Sequence, residues 1–184
     1  MLRVGPPNKL GRGLTWWARA WKRSHSMIVY AYDRTSSALL AHVWGASTDG
    51  ALNEFVTMFR RLDTEATLGM MPITIIDVDP RAQRLNAPQR RTISDAFANA
   101  RSPVHLVAVV TTSAVHRGVG KVIAWLSPAG ERRRAAFHAT VRDAFRWCEG
   151  ERGAPIPILK MLHDQVVAAT TEAGRGRIAK SASE

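Results

Sequence analysis

Asp77 and Asp79, two residues apart at the end of an apolar segment, come nearest in this chain to a catalytic or metal-binding pair. Alternate residues of a strand point to one face, so both carboxylates are expected on the same side. Paired carboxylates can hold Mg²⁺ or transfer protons. The alternative is that they cap the following loop or pair with Arg81, Arg84 or Arg91. We favour this alternative because no second acidic pair or matching lysine accompanies them.

Other residues with chemical potential do not form recognisable catalytic patterns. Gly118, Gly120 and Lys121 suggest a phosphate loop, but that motif needs glycine at 115 and serine or threonine at 122, and both positions are valine. We expect these glycines to let a helix approach the sheet closely. The six histidines show no helical pairing and have no cysteine neighbours, which predicts no metal site. We therefore expect no cofactor and no enzymatic activity.

Charge is concentrated at the N-terminus. The net charge is +11 over 184 residues, and residues 1–26 contribute six basic residues and no acid. A pI of about 11.1 usually suggests nucleic-acid binding. Residues 27–153 contain 16 basic and 12 acidic residues, so the expected folded part is only mildly basic and does not favour that class of partner.

The N-terminal segment combines aromatic and basic residues. Such a composition suits the boundary of an anionic membrane or an acidic partner. An alternative is that translation begins at Met27, where the character of the sequence changes. The candidate arm residues are Trp16, Trp17, Arg19, Trp21, Lys22 and Arg23.

Hydrophobic periodicity predicts an α/β fold with a single mixed, mostly parallel sheet of about five strands flanked by helices. Leu52, Phe55, Val56, Phe59 and Leu62 have the spacing of one buried helical face. We expect Ile75, Val107, Val109 and Trp125 in the core and Cys148 as a small apolar filler. The expected organisation is a flexible basic arm (1–26), a domain (27–153), and a helix with a disordered tail from Gly174 (154–184).

The predicted order of elements over residues 27–150, β-β-α-β-α-β-α-β-α, resembles the STAS domain, named for sulfate transporters and anti-sigma-factor antagonists. Within that family, the chain is more similar to a group of small stand-alone bacterial STAS-like proteins, mostly of unassigned role. The matching features are Asp77 at the end of the third strand, Pro88–Arg91 at the start of a helix, Ser113–Gly118, Ala124–Pro128, and the helix Val141–Trp147. The resemblance covers about two-thirds of the chain and implies a regulatory protein that binds another protein.

One departure concerns the loop after the third strand. In anti-sigma-factor antagonists this loop carries a serine that a kinase phosphorylates. Here residues 79–88 contain no serine or threonine, so that switch is not expected. The resemblance still implies where a partner would bind, since partners of open α/β sheets bind at the carboxyl ends of strands.

We therefore expect a non-enzymatic interaction module acting in the cytoplasm, with the arm able to hold it at the inner membrane face. A carrier or sensor of an apolar small molecule or lipid, held at the membrane through the basic arm, is the alternative function, and a homodimer is left open. One cysteine excludes an internal disulfide, and no apolar run has the length of a membrane span. The candidate partner-binding residues are Asp77, Asp79, Arg84, Gln89, Arg90, Arg91, His116 and Arg117.

Overall fold

A computed structural model describes residues 28–66, 70–102, 104–118 and 133–181. The expected arm and Trp125 lie outside these residues. The predicted helix 113–126 is described only to Gly118, with a helical turn over 114–118. The strands are β1 (Ile28–Asp33), β2 (Ala38–Val43), β3 (Ile73–Val78), β4 (His105–Val110) and β5 (Arg133–His138); the helices are α1 (Asp49–Glu65), α2 (Ala87–Ala98), α3 (Val141–Arg152) and α4 (Ile158–Ser181).

The five strands form one mixed sheet in the order β1-β2-β3-β4-β5. Only β1 and β2 are antiparallel; the other neighbours are parallel. A tight turn joins β1 to β2, in which the Ser37 N–H donates to the Arg34 carbonyl at 3.2 Å and Asp33 accepts from the Ser36 N–H at 2.6 Å. The predicted fold class is confirmed.

Helices α1 and α2 cover one face of the sheet. Thr48 caps α1 by accepting a hydrogen bond from the Ala51 N–H at 3.2 Å. The predicted apolar stripe of α1 is buried, and Phe59 within it is fully buried. It packs with Leu39, Ala41 and Val107 of the sheet. Of the predicted core residues, Ile75 and Val107 are buried and Val109 is partly buried.

Helices α3 and α4 cover the opposite face. Thr140 caps α3, which ends at Gly153 with φ of 70°, a conformation that favours glycine. Cys148 is fully buried, as predicted, and burial raises the pKa of its thiol to about 12. Leu159 and Leu162 of α4 join the same core, so the core extends beyond residue 153, the predicted end of the domain.

Two details of the structure differ from the expectations from the sequence. The backbone of α4 continues to Ser181, although Gly174 was expected to begin a disordered tail. Glycine costs only about 1 kcal/mol in a helix, which is not enough to stop a helix already anchored by packing. A Cβ added at Gly118 would meet no described atom within 4 Å, so no close approach of this glycine to the described part of the sheet is seen. Gly120 and Lys121 lie outside the described residues.

No helix within the described part of the chain has the length and apolar character needed to cross a membrane.

Candidate interaction surface at the carboxyl ends of the strands

The carboxyl-edge surface, as we define it, consists of residues 79–91 and 111–118, which follow β3 and β4. Its first part is pinned to the end of β2. The Asp79 N–H donates to the Val43 carbonyl at 2.9 Å, and the Gln83 N–H donates to the Gly45 carbonyl at 2.6 Å. Asp79 also accepts a hydrogen bond from the Arg81 N–H at 2.7 Å. Asp79 therefore caps the loop, which is the favoured alternative from the sequence.

Gln89 links the starts of α1 and α2. Its side-chain nitrogen donates to the Ser47 carbonyl at 3.0 Å and to Asp49 at 2.8 Å, while its oxygen accepts from the Asn86 N–H at 3.0 Å. Asn86 in turn accepts from the Gln89 N–H at 2.9 Å, which completes a capping box. Gln89 was expected to bind a partner; these internal contacts use both hydrogens of its side-chain amide, so the hydrogen bonds that the structure shows for it are structural.

His116 joins the segment after β4 to the loop after β3. Its Nε2 lies 3.1 Å from the Ala82 carbonyl, and a carbonyl only accepts, so Nε2 carries the proton. The other ring nitrogen, Nδ1, is buried and has no hydrogen-bond partner among the described residues. The Ser113 hydroxyl accepts from the His116 backbone N–H at 3.3 Å. His116 therefore fixes the relative position of two loops.

Most of the charged side chains that this surface exposes to solvent are arginines. Arg81, Arg84, Arg90 and Arg91 are exposed and Arg117 is half-exposed. Arg90 donates to the Leu85 carbonyl at 2.6 Å. Within the described ranges, none of the five forms an ion pair with a carboxylate. Val115 lies on the same surface with 45% of its area exposed.

Asp77 faces the α3/α4 side of the sheet and pairs with a histidine rather than an arginine. Its carboxylate lies 2.8 Å from Nδ1 of His42 on the neighbouring strand. A carboxylate only accepts, so Nδ1 carries the proton and Nε2 is left as an acceptor. The His42 ring also stacks on Trp44, with centroids 5.6 Å apart. Asp77 and Asp79 thus have separate hydrogen-bond partners.

The sequence did not reveal the His42–Asp77 pair. The two residues are 35 positions apart, and only the parallel register of β2 with β3 places them side by side. The alternation of side chains along both strands was the available signal. Such a pair can orient a base, but no third acidic, histidine or cysteine group joins it to form a metal site in the part of the chain that the structure describes.

A second His–Asp pair lies buried near the amino ends of β3 and β4. His105 Nδ1 is 3.6 Å from Asp63, and its Nε2 is 2.9 Å from the Thr74 hydroxyl. Burial would raise the pKa of Asp63, but hydrogen bonds from His105, the Arg101 N–H and Ser102 hold that pKa well below its usual range. His105 and Thr74 are fully buried, so this Asp–His–Thr arrangement is closed to a substrate and stabilises the fold.

No family model, curated protein or solved structure matched this chain.

Proposed function

We propose that the chain is a non-enzymatic, STAS-like regulatory module of the cytoplasm that binds another protein through the carboxyl-edge surface. The observation that carries this proposal is that the two segments of this surface have five arginines without ion-pair partners among the described residues. The resemblance in sequence motifs supports the same class of function. The proposal includes no phosphorylation switch in the loop after β3, because residues 79–88 contain no serine or threonine.

The position of the surface also supports partner binding. In open α/β sheets, the carboxyl ends of parallel strands are the usual place for ligands and partners. Here three loops at that edge are tied together by Gln83, Gln89 and His116. A surface held in one arrangement loses little conformational entropy on binding, which favours affinity.

Photo-crosslinking in native cells tests the proposal. A benzophenone amino acid replaces Gln83, whose exposed side chain lies on the carboxyl-edge surface, or Thr64, which is exposed near the end of α1. We expect a discrete protein adduct from position 83 and not from position 64. Arg91→Glu, introduced together with the position-83 probe, should reduce the yield of that adduct. Equal adducts from both positions, or none from position 83, would contradict the proposal.

A further inference from the structure

The arginines of the carboxyl-edge surface differ from four arginines elsewhere in the described fold. Arg34, Arg61, Arg134 and Arg146 each lie within ion-pair distance of a carboxylate on the same chain. The carboxyl-edge surface instead has five arginines and one acidic residue, Asp79, whose carboxylate is engaged by the Arg81 N–H. Its positive charge is therefore not neutralised by the described residues.

The type of cation is informative. Residues 79–91 and 111–118 contain no lysine. A guanidinium is a planar fork that binds a carboxylate or phosphate through two parallel hydrogen bonds, whereas an ammonium acts as a point charge. Five guanidinium groups on loops that are held together by hydrogen bonds suit a partner with anionic groups at fixed positions.

The uncharged residues of the carboxyl-edge surface favour a protein partner over a nucleic acid. Val115 is 45% exposed, and Pro88 and Ala114 are exposed beside the arginines. Apart from the ring of His116, which is held by Ala82, these residues include no aromatic side chain. Single-stranded nucleic acid is typically bound by aromatic side chains that stack on bases, while an exposed aliphatic group fits an apolar side chain of a protein.

We propose that the carboxyl-edge surface binds an acidic protein segment, in which aspartate or glutamate side chains pair with Arg84, Arg90 and Arg91 while an aliphatic side chain contacts Val115. This inference rests on the proposed function and names its partner class. The interaction is expected to weaken as salt rises, because exposed charges are screened beyond about 8 Å at physiological ionic strength.

Defined probes test the chemistry directly with the full chain. The probes are a fluorescent glutamate-rich peptide containing leucine, the same peptide with glutamine at every glutamate, a DNA duplex, and phosphatidylglycerol vesicles. We expect the glutamate peptide to bind and the glutamine peptide to bind at least about tenfold more weakly. No binding of the glutamate peptide would overturn the proposal. Tighter binding of DNA or vesicles would overturn it too if Arg84→Glu and Arg91→Glu weaken that binding, because binding through residues 1–26 does not depend on these two arginines.

Charge-reversal variants locate the binding site. Arg84→Glu and Arg91→Glu should each weaken binding of the glutamate peptide about fivefold or more. Arg60→Glu is the matched control, because Arg60 is exposed in the second half of α1 and forms no ion pair with the described residues. Its affinity should stay unchanged. Equal losses of affinity in all three variants would show that the peptide is attracted by net charge alone, and would contradict the proposed binding site.

The two proposals can fail separately. A position-83 crosslink to a protein in cells, without affinity for the glutamate peptide, would leave the interaction module standing and remove its acidic partner class. Affinity for the glutamate peptide that Arg84→Glu and Arg91→Glu lower, without a crosslink in cells, would keep the acidic specificity and remove the proposed cellular function.

Discussion

Histidine chemistry in this chain is decided by which ring nitrogen meets an acceptor. His42 donates from Nδ1 to Asp77, whereas His116 donates from Nε2 to the Ala82 carbonyl. The two rings should therefore hold opposite neutral tautomers. We expect long-range proton–nitrogen NMR spectra at alkaline pH to show the Nδ1–H form for His42 and the Nε2–H form for His116.

Removal of the carboxylate checks this assignment. In Asp77→Asn the acceptor is weakened, so His42 should shift toward the Nε2–H form while His116 keeps its spectrum. An Nε2–H signal from His42 in the unaltered protein would contradict the geometry of the pair.

Asp63 makes stability depend on acid. Its pKa is lowered in the folded state, so the folded chain binds fewer protons than the unfolded chain as pH falls. The stabilisation is present above the unfolded pKa of about 3.9 and is lost as pH falls below it. We expect urea unfolding to show Asp63→Asn about 2 kcal/mol less stable at neutral pH, with a smaller loss on acidification.

Asp95 supplies the control for this experiment. It is exposed on α2, and its carboxylate accepts no hydrogen bond and forms no ion pair within the described residues. Asp95→Asn should change the free energy of unfolding by less than about 0.5 kcal/mol and keep the acid dependence of the unaltered protein. Parallel pH curves for Asp63→Asn and the unaltered protein would rule out the role assigned to Asp63.

At the scale of elements, α4 completes the core on one face of the sheet. Leu162 is fully buried in that core, while its neighbour Met161 has 37% of its area exposed. Leu162→Ala should lower the free energy of unfolding by about 2–5 kcal/mol, because it leaves a cavity in a packed layer. Denaturant unfolding of Met161→Ala should show a much smaller loss. Equal losses would mean that α4 does not pack as described.

The elements were predictable where the pattern is local. The stripe from Leu52 to Leu62 has helical spacing, and the β-branched run of β3 has the character of a buried strand. The sequence did not predict the extension of α4 past Gly174, because glycine commonly marks the end of a helix. Local signals set the type of an element more reliably than its boundary.

The candidate site was less predictable because its properties depend on tertiary neighbours. The spacing of Asn86 and Gln89 could have indicated a capping box, and hence an internal role for Gln89. The pairing of Asp77 with His42 requires the register of two strands. Whether Arg84 and Arg91 have acidic neighbours likewise depends on which elements surround them, which composition does not reveal.

At the scale of the whole molecule, the fold and the arm separate in sequence. Both described core clusters are built from residues between Ile28 and Val166. A chain starting at Met27 is therefore expected to keep the circular dichroism spectrum and cooperative unfolding of the full chain. Loss of folding in the short chain would mean that one of the tryptophans before Met27 belongs to the core.

The arm itself predicts a salt-dependent membrane contact. Residues 1–26 contain six basic residues, each able to contribute about 1 kcal/mol near an anionic membrane, and three tryptophans suited to the interface. The full chain should co-sediment with phosphatidylglycerol vesicles at low salt and less at high salt, because salt screens the charges but leaves the burial of the tryptophans. Replacement of the three tryptophans by alanine (Trp16, Trp17 and Trp21) should reduce the vesicle binding that remains at high salt. The chain starting at Met27 should bind these vesicles only weakly. If it binds them as tightly as the full chain does, the arm is not the membrane anchor, and the arginines of the carboxyl-edge surface become the candidates for membrane binding.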